Sequence, residues 1–99
     1  MAKQPAVYIL TNKPNGTIYV GVTSNLARRL EDHRLRPKGS FTARYNLQRL
    51  VHVERFDDIE EAIRREKQLK GGSRAKKIAL IERDNPLWKD LASEVSNWS

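Results

Sequence analysis

The sequence predicts an α+β domain: a three-stranded, mainly antiparallel sheet flanked by helices. Residues 6–12 and 17–22 are rich in β-branched and aromatic side chains and are joined by the turn-forming stretch Lys13-Pro14-Asn15-Gly16. Residues 49–56 alternate well enough, through Leu50, Val51, Val53 and Phe56, to form a third strand. Elsewhere apolar residues recur at helical spacing, in segments that open on capping residues and stop at glycine or proline.

The first two runs form a hairpin over residues 6–22, because Pro14 fixes φ and Asn15-Gly16 accept positive φ. Its register is open at this level. A two- or four-residue loop puts Tyr8 and Tyr19 on one face, whereas a three-residue loop with a bulge separates them. Thr23-Ser24-Asn25 offer N-caps for a helix from Leu26 to about Arg34, with Leu26, Leu30 and His33 as its inner stripe and Arg29 at the edge. Residues 35–40, which include Pro37 and Gly39, read as a loop, and residues 41–46 as one helical turn. After the third strand, Asp57-Asp58 place acidic groups at the positive end of a second helix. That helix runs to Lys70 and stops at Gly71-Gly72, with Ile59, Ala62, Ile63 and Leu69 as its buried stripe. Ser73 caps a third helix to about Arg83, with Ile78 and Ile81 inward, and Asn85-Pro86 ends it. Residues 87–95 read as a last short helix with Trp88 and Leu91 on the core.

At 99 residues the chain suits one domain spanning 1–99, with one core and no room for a separate targeting domain. Nineteen Lys and Arg against twelve Asp and Glu give a formal charge of +7. A body this small and this basic favours a polyanionic partner, since basic surfaces gain affinity by releasing counterions from phosphates. No segment pairs Lys and Arg with a Trp, Phe and Leu face suited to a lipid surface, so no membrane partner is expected. With no cysteine, thiolate metal sites, cysteine nucleophiles and disulfides are excluded. The opening Met1-Ala2-Lys3-Gln4-Pro5 lacks the apolar stretch of a signal peptide, and the expected location is cytoplasmic.

Tyr8 and Tyr19 stand eleven residues apart in the frames Val7-Tyr8-Ile9 and Tyr19-Val20-Gly21; Arg29 follows ten residues later, and Glu66 sits in the second helix. Together these resemble the GIY-YIG nuclease family, over residues 5–81, with residues 82–99 as a C-terminal helical extension. The first motif is preceded by alanine, and Val20 stands for isoleucine; both are apolar strand substitutions. The resemblance implies the GIY-YIG fold and phosphodiester hydrolysis. In that scheme Tyr19 is the base that activates water, Tyr8 orients the water or phosphate, Arg29 faces the phosphate, and Glu66 binds Mg²⁺ or Mn²⁺. It also puts the two tyrosines on one face. The whole chain looks most like the small, single-domain bacterial members.

The residues are consistent with these roles on chemical grounds. A guanidinium offers paired donors to phosphate and keeps its charge in a low-dielectric cleft. Glu66 falls inside the apolar stripe of its helix, where a carboxylate is costly unless it is paired or ligates a metal. Its structural alternative is an ion pair with Lys70 at i,i+4 spacing. His33 lies one turn beyond Arg29 and could donate to the phosphate or relay a proton; a satisfied core-edge histidine is the equal alternative. Gly21, lacking a side chain, would let a phosphate or another backbone approach closely. Basic residues cluster in two patches: Arg28, Arg29, Arg34, Arg36 and Lys38, then Arg64, Arg65, Lys67, Lys70, Arg74, Lys76 and Lys77. If both flank one cleft, they track a phosphate backbone. Phe41 and Tyr45 are the pair available to stack on bases. The expected function is a metal-dependent endonuclease in repair or processing, acting on DNA in preference to RNA. The alternative is a catalytically inactive nucleic-acid-binding module or an adaptor of a repair complex. A protein partner for targeting and the oligomeric state are left open.

Overall fold

A computed structural model describes residues 4–34, 47 and 49–95, with the side chains of His33 and Arg34 outside that description. Strand β1 (Ala6–Thr11) lies at the centre of a three-stranded sheet. It pairs antiparallel with β2 (Ile18–Thr23) on one side and β3 (Arg49–Arg55) on the other. The helices are α1 (Leu26–Arg34), α2 (Ile59–Gly71), α3 (Arg74–Asp84) and the single turn α4 (Ala92–Val95). Every residue of β1 is buried, which explains why its run is apolar without alternation: the sheet is covered on both faces. Ala6, Tyr8 and Leu10 point to one face, where they meet Leu26 and Leu30 of α1 and Val95 of α4. Val7 and Ile9 point to the other, against Ala62 and Leu69 of α2, Ile81 of α3 and Trp88.

The hairpin resolves the register. Thr11 pairs with Ile18, so six residues form the loop, an even number. Tyr8 faces Gly21 and Leu10 faces Tyr19, and with a period of two both tyrosines share one face. Within the loop the Gly16 N–H donates to Lys13 O at 2.9 Å, and Asn15 has φ 59°. Proline at the second position and positive φ at the third match a type II turn. Asn12 Oδ1 accepts the Thr17 N–H at 3.0 Å and fastens the loop base. On the other side of β1 a bulge falls between Ile9 and Leu10, which pair with His52 and Leu50, leaving Val51 as the extra residue.

Two expectations about helices need correction. Ile59 and Ile63 are not buried; each is 37% exposed, and the buried positions of α2 are Ala62 and Leu69. The sheet-facing line therefore runs through residues 62, 66 and 69, and the two isoleucines sit on its flank. The final helix over residues 87–95 shortens to α4, because Trp88 has φ 55° and cannot continue a right-handed helix. Long-range bonds hold this segment instead. Leu91 N–H donates to Leu50 O at 2.7 Å, and Asp90 Oδ1 accepts from Leu50 N at 3.2 Å and Ala92 N at 3.0 Å. These bonds cover part of the outer edge of β3. The Trp88 indole is buried and donates to Glu82 at 2.9 Å. The loop expected at 35–40, the helical turn at 41–46, and with them Arg36, Lys38, Phe41 and Tyr45, lie outside the described residues.

Candidate active site

The hairpin and α1 bring three side chains together on one face of the sheet. Tyr8 is fully buried, and its ring centroid lies 6.3 Å from that of half-buried Tyr19, with the planes tilted by 42°. Tyr19 and Arg29 both lie close enough to the Tyr8 hydroxyl to act on its proton affinity. Arg29 is delivered by the start of α1. Thr23 Oγ1 accepts the Asn25 N–H at 3.1 Å, Asn25 Oδ1 accepts the Arg28 N–H at 3.3 Å, and the Asn25 carbonyl accepts the Arg29 N–H at 3.1 Å. Arg29 opens onto a depression of about 300 Å³, shared with Ser24, Asn25, Arg28 and Asp32. Asp32 was not anticipated as part of the site, although its place three residues after Arg29 on a helix is a readable signal.

The two phenols are inequivalent. Burial pushes the Tyr8 hydroxyl well above the usual tyrosine range, and the negative charge Tyr19 would carry if ionised pushes it further. Arg29 works in the opposite sense, through its charge, without overcoming the burial. Tyr8 therefore keeps its proton and serves as a donor. Tyr19, at the edge strand and partly exposed, presents the more accessible oxygen.

Gly21 has a reason different from the one expected. A Cβ built there would lie 2.4 Å from Tyr8 Cζ and 2.5 Å from its hydroxyl oxygen. The space over Gly21 is filled by the tyrosine ring, not left open for a phosphate.

Glu66 stands apart from the tyrosines in its packing. It lies on α2, whose buried residues Ala62 and Leu69 belong to the cluster on the opposite sheet face. Its carboxylate is paired with Lys70 Nζ at 2.8 Å, Glu66 being 14% and Lys70 54% exposed. Lys70, expected on the nucleic-acid backbone, is thus engaged within its own helix. Among the described residues no group of three or more His, Cys, Asp or Glu side chains could hold a metal ion. The donor chemistry still suits a hard, well-hydrated divalent ion, which can bind through one carboxylate and retain its waters.

The remaining expected residues divide further. Arg28 is exposed beside Arg29, whereas the side chains of His33 and Arg34 lie outside the described residues. Arg74 is committed to structure, donating to Asn15 O and Gly16 O at 2.7 Å each and so clamping the hairpin loop to α3. Lys77 donates to Gly72 O at 2.8 Å, and Lys76 is exposed. Arg28 and Arg29 of the first patch lie on α1, which packs on one face of the sheet, and the second patch lies on α2 and α3, which pack on the other; Arg36 and Lys38 lie outside the described residues. Asn85 is also structural. Its amide donates to Val51 O at 3.1 Å and Lys89 O at 2.9 Å, and its Oδ1 accepts the Lys89 N–H at 3.0 Å. One half-buried network was not foreseen: His52 Nε2 lies 2.8 Å from Glu54 Oε2, and Arg65 grips Glu54 at 2.7 and 3.0 Å. Residues 54 and 65 belong to different elements, so no local pattern announces them.

A three-stranded antiparallel sheet with a tyrosine pair and an arginine on one face defines a GIY-YIG catalytic domain, and that family's model matches residues 4–79. The chain is 38% identical to a UPF0213 protein of Natronomonas pharaonis, over 82% of this chain and 94% of the relative. It is also 38% identical to a UPF0213 protein of Syntrophus aciditrophicus, over 79% and 90% of the two chains. The solution NMR structure of a UPF0213 protein from Bacillus halodurans superposes with a TM-score of 0.54 at 31% identity, covering 88% of this chain and 92% of that one. The chain belongs to the GIY-YIG family and, within it, to the UPF0213 group of small single-domain proteins from bacteria and archaea. The family implies a nucleic-acid substrate, and its nucleases generally use a divalent metal. No helix among the described residues is long and apolar enough to cross a membrane.

Proposed function

We propose that the protein is a metal-dependent endonuclease that hydrolyses phosphodiester bonds in nucleic acid, with DNA preferred over RNA, in repair or processing. The observation that carries this reading is the joined set of Tyr8, Tyr19 and Arg29, with Tyr8 held protonated beside Tyr19. Tyr19 first gives its phenol proton to solvent, and as the phenolate it accepts a proton from the attacking water while the water oxygen bonds to phosphorus. Tyr8 donates a hydrogen bond that orients the water or phosphate against Tyr19. Arg29 opposes the negative charge that builds on the phosphoryl oxygens, at the mouth of the depression where a phosphate can enter. The P–O bond to the leaving strand then breaks, and the departing oxygen is protonated from solvent. A divalent ion held by Glu66 would supply charge neutralisation at the leaving oxygen.

The Glu66–Lys70 ion pair favours the alternative, a nucleic-acid-binding module without catalysis, because it leaves the carboxylate already neutralised. One experiment separates the two. Wild type and Tyr19→Phe are incubated with duplex, branched and single-stranded DNA and RNA, in Mg²⁺, Mn²⁺ or EDTA. Cleavage only with metal, and lost in the variant, is the expected result. Intact binding with no cleavage of any substrate by wild type would overturn the nuclease reading.

A further inference from the structure

We infer that the groove between the end of α2 and the start of α3 is a second binding surface for a nucleic-acid phosphate backbone, separate from the tyrosine site. The groove has a volume of about 470 Å³ and is lined by Arg65, Lys67, Lys76 and Lys77 with no carboxylate among its walls. Its cations differ in what they are committed to. Arg65 is held by Glu54 and Gln68, and Lys77 by the Gly72 carbonyl. Lys67 and Lys76 are exposed, and their side-chain ammonium groups make no hydrogen bond or ion pair among the described residues; only the Lys76 backbone N–H is used, by Ser73 Oγ. They are the charges available to a ligand.

Gly71 and Gly72 contribute bare backbone to the lining, beside Gln68, Leu69 and Leu80. A side chain added at Gly71 would meet nothing within 4 Å, so a backbone phosphate can come close there without displacing protein atoms. The groove lies apart from Tyr8 and Tyr19, although its wall α2 also carries Glu66. Its walls belong to α2 and α3, which pack on the sheet face opposite Tyr8 and Tyr19. A protein of +7 net charge thus offers phosphates two approaches, one beside Arg29 and one between α2 and α3. The groove tethers nucleic acid outside the scissile position, and it rests on the functional reading above only for the identity of its ligand.

The test needs no cleavage and is run in EDTA on the full chain. Lysine acetylation is mapped by mass spectrometry with and without a 30-base-pair DNA duplex, and in parallel with single-stranded RNA of equal length. Lys67 and Lys76 are expected to be protected by at least one of these. The double variant Lys67→Gln/Lys76→Gln should flatten the plot of log affinity against log salt by about 1.8, at ~0.9 per lost phosphate contact. The control pair Arg83→Gln/Lys89→Gln should leave the slope unchanged. Unprotected lysines, an unchanged slope in the first variant, or equal flattening in both would overturn the inference. So would protection by polyglutamate but by neither nucleic acid. Protection in EDTA together with no cleavage by wild type in Mg²⁺ or Mn²⁺ would remove the nuclease reading and leave the groove standing.

Discussion

The Tyr8 ring lies across Gly21 so closely that a methyl group on that glycine would sit 2.4 Å from Tyr8 Cζ. The glycine of the second motif is thus the seat of the tyrosine of the first, and the two motifs form one packing unit. Gly21→Ala should displace a ring that is fully buried and has nowhere to go. The expected cost is about 1–3 kcal/mol, as for other overpacked cores, seen as a lower urea midpoint. An unchanged midpoint would show that the ring moves freely and that the seat is not needed.

The tyrosines should separate in kinetics. Tyr19→Phe is expected to lower the rate at least ~10²-fold, the usual contribution of a positioned general base. Tyr8→Phe should cost less, since solvent can partly replace an orienting donor. Binding of nucleic acid in EDTA should barely change in either variant. Equal losses for both would assign proton transfer to the pair and not to Tyr19.

Lys70 is the counter-ion that a metal at Glu66 must displace. Lys70→Gln should lower the Mg²⁺ concentration giving half-maximal cleavage, while Glu66→Gln abolishes the metal response. Stability should move by only a few tenths of a kcal/mol in either case, as for other i,i+4 pairs. A higher Mg²⁺ requirement in Lys70→Gln would place the metal elsewhere.

The Glu54 network should make stability depend on acid pH. Burial works against the Glu54 carboxylate, but the hydrogen bonds and charges of Arg65 and His52 outweigh it and hold its pKa below the usual range. A carboxylate depressed in the folded state stabilises above its unfolded pKa of ~4.3, and that contribution is lost as pH falls through the folded value. Glu54→Gln should therefore be less stable than wild type at neutral pH, by about 1–3 kcal/mol for the partners left unsatisfied. The difference should shrink in urea titrations taken below pH ~4. A gap that stays constant with pH would mean that packing, not charge, is what Glu54 contributes.

Asn85 should prove architectural. Asn85→Asp removes the donors to Val51 O and Lys89 O, and a loss of about 2 kcal/mol is expected. The rate per folded molecule should not change; a fall in that rate would bring Asn85 into the chemistry.

Much of the fold could be read from local chemistry. Asp58 and Ser73 cap α2 and α3 as their sequence positions suggest, and α1 spans the residues that the Leu26/Leu30 spacing marks. The meeting of Tyr8 with Tyr19 depended on loop parity, which Lys13-Pro14-Asn15-Gly16 alone left open and strand pairing settles. Ile59 and Ile63 were misplaced because helical spacing defines an apolar arc but not which part of it meets the sheet. The stretch around Trp88 reads as helical locally; its actual path is imposed by partners about 40 residues away, such as Leu50. Glu66 is visible as an anomaly in its stripe, yet its side of the sheet is a tertiary fact that no spacing encodes.

The bonds from Asp90 and Leu91 to Leu50, with Trp88 and Val95 each 2% exposed in opposite clusters, have a consequence for biosynthesis. The segment that the family model matches ends at residue 79, before either face of the sheet has its last covering side chain. A nascent chain stalled at that point would carry all of Tyr8, Tyr19, Arg29 and Glu66, but it would expose apolar surface and an uncovered strand edge to chaperones and to other chains. Covering both faces of the sheet therefore depends on residues 80–95, which lie beyond the segment that the family model matches.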